Sequence, residues 1–157
     1  LLESHDPYDG IFLAIGDNKK RRLMFGFFES LHSKLVSLVH PSSILSSSAH
    51  VGRGTIIMAN VVVGSGAKVG DGVVLNTSCS IDHDCNIGAF SHVSPGASIS
   101  GNVTIGQNSW IGVGTSIKNN VVIGANVIAG AGSAIVNDIP SGLVVAGVPA
   151  KKLKESK

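Results

Sequence analysis

Residues 76–96 hold the chain's densest collection of groups able to move protons. Asn76-Thr77-Ser78-Cys79-Ser80-Ile81-Asp82-His83-Asp84-Cys85 is followed by Ser91-His92-Val93-Ser94-Pro95-Gly96, which puts two histidines among two carboxylates and several hydroxyls. An imidazole accepts a proton near neutral pH, and an adjacent carboxylate decides which ring nitrogen does so. Asp84 directly follows His83, so His83 is the candidate general base and Asp84 the group that orients it. The bland alternative for either histidine is a solvated corner without chemistry.

Such groups need a scaffold, and the sequence specifies one. Leu45, Val51, Ile57, Val63, Val69, Leu75, Ile81, Ile87, Val93, Ile99, Ile105, Ile111, Ile117 and Ile123 set an aliphatic side chain at every sixth residue. After the smaller Ala129 the series resumes at Ile135, and the residue two before each member is Ser, Ala, Thr, Val or Cys. A period of six fits neither helix nor simple strand. It fits a left-handed parallel β-helix of hexapeptide repeats, about 18 residues to a three-sided coil stacked at ~4.8 Å. About five coils are expected over residues 45–140. Glycine follows the aliphatic residue at positions 52, 64, 70, 88, 106, 112, 124 and 130, where a tight corner favours a residue without Cβ.

Composition agrees with a narrow prism: 20 Gly and 43% hydrophobic residues, but only 4% aromatic. The count of 12 basic and 10 acidic residues leaves a net charge of +2, which implies no nucleic-acid partner. No apolar run approaches the ~20 residues of a membrane span and no signal peptide is visible, so a soluble cytoplasmic protein is expected. Cys79 and Cys85 fall on the small inward position of successive hexads and read as buried, reduced thiols.

The chain ahead of the repeats is different in kind. An apolar run, residues 11–15, ends in Gly16-Asp17-Asn18; a basic stretch then leads into a helix to about Leu31, and residues 35–39 read as a further strand. Strand, helix, strand is half of an α/β nucleotide-binding unit. Residues 1–42 therefore read as the remnant of a partial N-terminal α/β sugar-nucleotide-binding domain, and residues 43–157 as the β-helix domain with a C-terminal tail. The chain starts on Leu1 and lacks a glycine-rich phosphate loop, so a preceding portion is expected. The alternative is a short motif capping the open end of the repeat.

Coil arithmetic brings further residues to the site. Gly101 lies 18 residues after His83, one coil above it, where its backbone N–H can serve as an oxyanion donor. His92 lies half a coil from His83, on another side of the prism. The two can meet only across an interface, as in a homotrimer with active sites between subunits.

Together the Gly-Asp-Asn at 16–18, the run from Asn76, Asp82-His83-Asp84-Cys85, Ser91-His92-Val93-Ser94 and the terminal Ala146-Gly147-Val148-Pro149-Ala150-Lys151 resemble the nucleotide-sugar N-acetyltransferases of the bacillosamine and perosamine pathways. Sialic-acid O-acetyltransferases are close relatives. The resemblance implies acetyl-CoA as co-substrate, no metal, and transfer to the 4-amino group of a UDP- or GDP-linked amino-deoxy sugar. It assigns His83 as base, Asp84 as its orienting acid, Gly101 as the donor to the thioester oxygen and His92 as a contact to the acetyl donor. It assigns Gly16, Asp17, Asn18 and Asn76 to the sugar-nucleotide side. CoA is expected along a groove at Gly112, Val113, Gly130 and Ala131; Lys151, Lys152 and Lys154 either meet its phosphates or form a solvated basic tail. Asp84 stands where the bacillosamine enzymes have Glu, which shortens the reach to the imidazole.

Other classes fit less well. A γ-type carbonic anhydrase shares the repeat but needs three zinc-bound histidines, commonly two as His-x4-His, and no such pair exists here. His5, His32, His40 and His50 fall outside the polar cluster and read as surface or packing residues. Sugar O-acetylation and a non-catalytic hexapeptide scaffold remain the alternatives.

Overall fold

The computed structural model describes residues 10–156. They form a parallel β-solenoid of about six turns with one short helix. Each side of a coil contributes a two-residue strand, and each strand pairs in parallel with the one 18 residues on: Ile44 with Val62, Ser80 with Ser98, Thr104 with Val122. Three sheets of eight, six and five strands result. The first coil strand is Leu38–Val39, paired with Ile56–Ile57, so the solenoid starts earlier and runs longer than the aliphatic series alone indicated.

The every-sixth side chains point inward and are buried from Ile57 to Ile135, while Leu45 and Val51 at the first coil are partly buried. Burying each such Val or Ile stabilises the fold by roughly 1.5–3 kcal/mol. Inward hydroxyls are not left bare: Thr55, Ser91, Ser109 and Thr115 each donate to the carbonyl of the glycine 15 residues on, at 2.9–3.1 Å. Cys79 and Cys85 are free, buried thiols, and burial pushes the Cys79 pKa up to about 12.

Corner geometry corrects the reason given for the glycines. The left-handed backbone lies three residues after each aliphatic side chain, not one: from Gly54 to Gly132 this position is Gly or Asn in every hexad except at Ser78, Asp84 and Phe90. The glycine directly after the aliphatic residue has another cause. A Cβ at Gly106 would lie 2.4 Å from the backbone nitrogen of Ala125 in the next coil, and one at Gly88 2.4 Å from that of Gln107. Lack of room, not φ, excludes a side chain there.

Ahead of the solenoid the two expected strands meet only through one parallel bridge, Ile11 with Leu35, framing helix α1 (Asn18–Ser30), while the end of the second, Leu38–Val39, joins the first coil. Asp17 caps α1 by accepting from the Lys20 N–H at 2.8 Å. The helix lies along one corner ladder, where Gly54 and Gly72 leave space for the Phe25 ring. Arg21 anchors it. The buried guanidinium donates to the carbonyls of Gly72 (2.6 Å), Ile15, Gly16 and Phe90 and to Asn18 Oδ1, and burial lowers its pKa to about 10. Phe90 adopts φ 59°, a conformation costing a bulky residue ~1–3 kcal/mol, and its ring meets Phe25 edge-on at 5.2 Å.

At the other end Leu143–Ala146 continues the eight-stranded sheet in parallel with Ile128–Ala129, and Lys151–Glu155 turns back antiparallel beside it. No helix among the described residues is long and apolar enough to cross a membrane.

Candidate active site

His83 sits at the corner after strand Ser80–Ile81, with its side chain mostly exposed. Asp84 occupies the left-handed corner position, φ 58°, which turns its carboxylate back toward the ring. Its Oδ2 lies 2.9 Å from His83 Nδ1, so the short side chain of Asp84 spans the reach to the imidazole. The hydrogen-bond network assigns the ring proton to Nδ1 and leaves Nε2 as acceptor. That bond, followed by the negative charge of Asp82, holds the imidazole pKa above its ordinary value.

Nε2 faces Gly101. A Cβ built there would fall 2.5 Å from Nε2 and 2.6 Å from Cε1, so only glycine admits the ring in this pose. Among the described residues the Gly101 N–H has no hydrogen-bond acceptor, while its carbonyl is taken by Asn120 N. A proton acceptor and an unengaged N–H donor thus lie side by side on one corner.

His92 belongs to a second cluster, on strand His92–Val93 of the eight-stranded sheet. It is 7% exposed and its ring lies against Trp110, centroids 4.4 Å apart. Asn76 Oδ1 accepts from Thr77 N at 2.8 Å, which aims the Asn76 amide at His92 Nε2, 3.2 Å away. Nε2 is then an acceptor and the ring neutral. Burial, and after it the charge of Arg21, lowers its pKa to about 4.

A groove of about 410 Å³ opens beside this pair, lined by Trp110, Gly112, Val113, Ile128 and Ala131 as well as Asn76 and His92. A second cavity of about 230 Å³ lies behind it, between residues 12–16 and Met58, Val74, Asn76 and His92. Gly16 lines that second cavity, so Asn76 and His92 form the wall shared by the two. The N–H groups of Val113 and Ala131 have no acceptor among the described residues. Gly130 borders the groove through its neighbours, and its missing Cβ leaves room for Ala146.

Remaining residues are placed as follows. Asp17 is the α1 cap, and the Asn18 amide donates to the carbonyls of Asn108 and Ser109, so both side chains serve the docking of the helix. Lys151 and Lys152 are exposed on strand Lys151–Glu155, and Lys152 pairs with Glu155. His32, His40 and His50 are exposed, and His5 lies outside the described residues. Among the described residues no group of three His, Cys, Asp or Glu is gathered that could hold a metal.

Two contributors were missed in the sequence. Trp110 was legible, since it is the sole tryptophan and lies 18 residues after His92, one coil above it. Arg21 was not: within a run of four basic residues nothing marks the one whose partners are all backbone and amide acceptors.

Solved structures match this arrangement over nearly the whole chain. The acetyltransferase domain of PglB from Neisseria gonorrhoeae is 46% identical with a TM-score of 0.91, over 92% of this chain and 70% of that one, and has also been solved in complex with acetyl coenzyme A. PerB from Caulobacter crescentus, solved with CoA and GDP-perosamine, is 37% identical with a TM-score of 0.90, over 91% and 69%. WeeI from Acinetobacter baumannii is 26% identical with a TM-score of 0.89, over 95% and 74%. No protein-family model and no curated protein sequence matches the chain. The solenoid is that of the acetyl- and acyltransferases among these neighbours. Within that class the chain belongs to the nucleotide-sugar N-acetyltransferases.

Proposed function

We propose that the protein transfers the acetyl group of acetyl-CoA to the 4-amino group of a nucleotide-linked amino-deoxy sugar, with His83 as general base. The observation that carries this reading is the His83–Asp84 pair at 2.9 Å, its free ring nitrogen turned to Gly101. The neutral sugar amine attacks the thioester carbonyl, and the Gly101 N–H stabilises the oxyanion that forms. Nε2 of His83 takes the proton shed by nitrogen. Collapse of the tetrahedral intermediate breaks the C–S bond, and the imidazolium returns the proton to the CoA thiolate. The products are an acetamido sugar and free CoA.

The pantetheine lies along the groove at Gly112, Val113, Gly130 and Ala131, whose flat wall offers the Val113 and Ala131 N–H groups, with His92 beside the acetyl end. Lys151 and Lys152 meet its phosphates. The sugar nucleotide approaches from the side of Gly16, Asp17, Asn18 and Asn76. The Ile11–Leu35 bridge around α1 supports reading residues 1–42 as part of an α/β sugar-nucleotide-binding unit. We further take the coil to be left-handed and the working protein to be a cytoplasmic homotrimer. Because His83 sits on the corner after the six-stranded sheet and His92 within the eight-stranded one, each active site draws His83 from one subunit and His92 from its neighbour.

The test is a mass-spectrometric screen of UDP- and GDP-linked amino sugars with acetyl-CoA. One added acetyl, stable to hydroxylamine, is the expected product; an ester-linked acetyl would assign O-acetylation, and no transfer at all would leave a scaffold. His83→Ala should lower turnover ~10² to 10⁴-fold with acetyl-CoA affinity nearly intact. Mixed trimers of His83→Ala and His92→Ala chains should regain activity that neither has alone, and failure to do so in mass-verified mixtures would sink the shared site.

A further inference from the structure

We propose that Asp82 is a positioning residue for His83, holding the base from its backbone side while Asp84 holds it from its ring. This rests on the reading of His83 as the proton acceptor. Asp82 Oδ1 accepts from the His83 N–H at 2.7 Å. In the coil this N–H takes no part in the strand ladder, and at Arg53 and Ala125 the equivalent group donates to a side chain of the next coil, Asp71 and Ser141. The equivalent N–H groups of Gly101, Val113 and Ala131 have no acceptor among the described residues.

The residue type at 82 is a departure as well. It directly follows the inward Ile81, and eight other hexads place glycine at that point, where the coil above leaves no space for a Cβ. Here, as at seven other hexads, a side chain takes the place of glycine, and the exposed Asp82 carboxylate accepts from the next residue's amide. Asn76 is its counterpart one hexad earlier: its Oδ1 accepts from Thr77 N, and that bond aims the amide at His92. Both corners that carry chemistry thus place an Asn or Asp at the same point of the hexad, accepting from the next residue's N–H.

The cap fixes the backbone at His83, and so the direction from which the ring reaches over Gly101. The carboxylate also adds a second negative charge beside the imidazole. The charged groups facing His83 are Asp82 and Asp84, the first through space and the backbone, the second through Nδ1. Above the ring stands Gly101, and the corner directly beneath carries Ser65; neither ionises.

Two substitutions separate the roles. Asn keeps the acceptor for the His83 N–H but removes the charge; Ala removes both. For Asp82→Asn, the acid limb of the kcat/KM against pH profile should move to lower pH, with a smaller drop in plateau rate than for Ala. For Asp82→Ala, the same limb shift should come with a plateau about tenfold lower, the effect of one lost hydrogen bond on a positioned group. KM for acetyl-CoA should hold in both. A limb in Asp82→Asn that coincides with the unsubstituted protein, or an undiminished plateau in Asp82→Ala, overturns the proposal. Should Asp82→Ala fail to fold, Asp82→Asn decides alone by its limb. His83→Ala is measured alongside: if it keeps full activity, the assignment of the base has failed, whereas an inactive His83→Ala with unaltered Asp82 variants refutes Asp82 only.

Discussion

His83 and Gly101 stand one coil apart with the imidazole over the glycine, so close that a Cβ at Gly101 would overlap Nε2 and Cε1. The absent side chain at 101 is therefore part of the site's geometry. Gly101→Ala should push the ring aside and lower kcat/KM by about 10²-fold, the scale of an ångström-level misplacement. Gly101 itself is buried, but the ring that must move is mostly exposed, so the melting temperature should fall by no more than about 3 °C. Activity retained in a folded Gly101→Ala protein would show that the ring works in another pose.

The rate should follow the ionisation of the base. Only the deprotonated imidazole accepts a proton, and the bond to Asp84, with the charge of Asp82 behind it, holds His83 above its ordinary pKa of 6.5. Thus kcat/KM should rise with pH through a midpoint above 6.5. Asp84→Asn should move that midpoint down and lower the plateau by misorienting the ring. A rate independent of pH across this range would point to an amine that loses its proton to solvent.

His92 should make the fold acid-sensitive. Its pKa is lowered to about 4 by burial, against an ordinary 6.5. Between these values the unfolded chain binds a proton that the folded chain does not, so stability is lost as pH falls from 6.5 toward 4. The loss is on the order of 3 kcal/mol. Urea midpoints measured across this range should fall for the natural chain and stay nearly flat for His92→Asn.

Arg21→Lys should detach α1 from the solenoid. A lysine cannot reach the carbonyls of Gly72, Ile15, Gly16 and Phe90 together, and a buried acceptor left bare costs about 1–3 kcal/mol. Limited proteolysis should then cut within residues 13–30 while the coils resist. Equal resistance of both regions would show that Phe25 and Phe90 suffice to dock the helix.

The aliphatic series named the buried residues from Ile57 to Ile135 because an inward ladder has no freedom to skip a step. It misplaced the start, since Leu38 and Val39 join the first coil although a helix-bearing segment precedes them directly. Glycine was legible as a corner signal, but a sequence does not distinguish a glycine kept for its φ from one kept for lack of room. Gly or Asn recurs three residues after most of the aliphatic side chains, and that was the separate mark of left-handed backbone. Its breaks at Ser78, Asp84 and Phe90 fall beside the Asn76, His83 and Arg21 contacts. Among those three, the requirement at Phe90 stayed hidden because it arises from a helix about 70 residues distant in sequence.

Strand Lys151–Glu155 runs against the direction of every other strand in its sheet. A stack of identical parallel coils has no intrinsic stopping point, and its last open edge could recruit another chain and grow into a fibre. The reversed, lysine-bearing strand presents the wrong polarity to a further coil and surrounds that edge with like charge. A chain ending before Lys151 should accordingly lengthen into filaments or precipitate while keeping each coil folded.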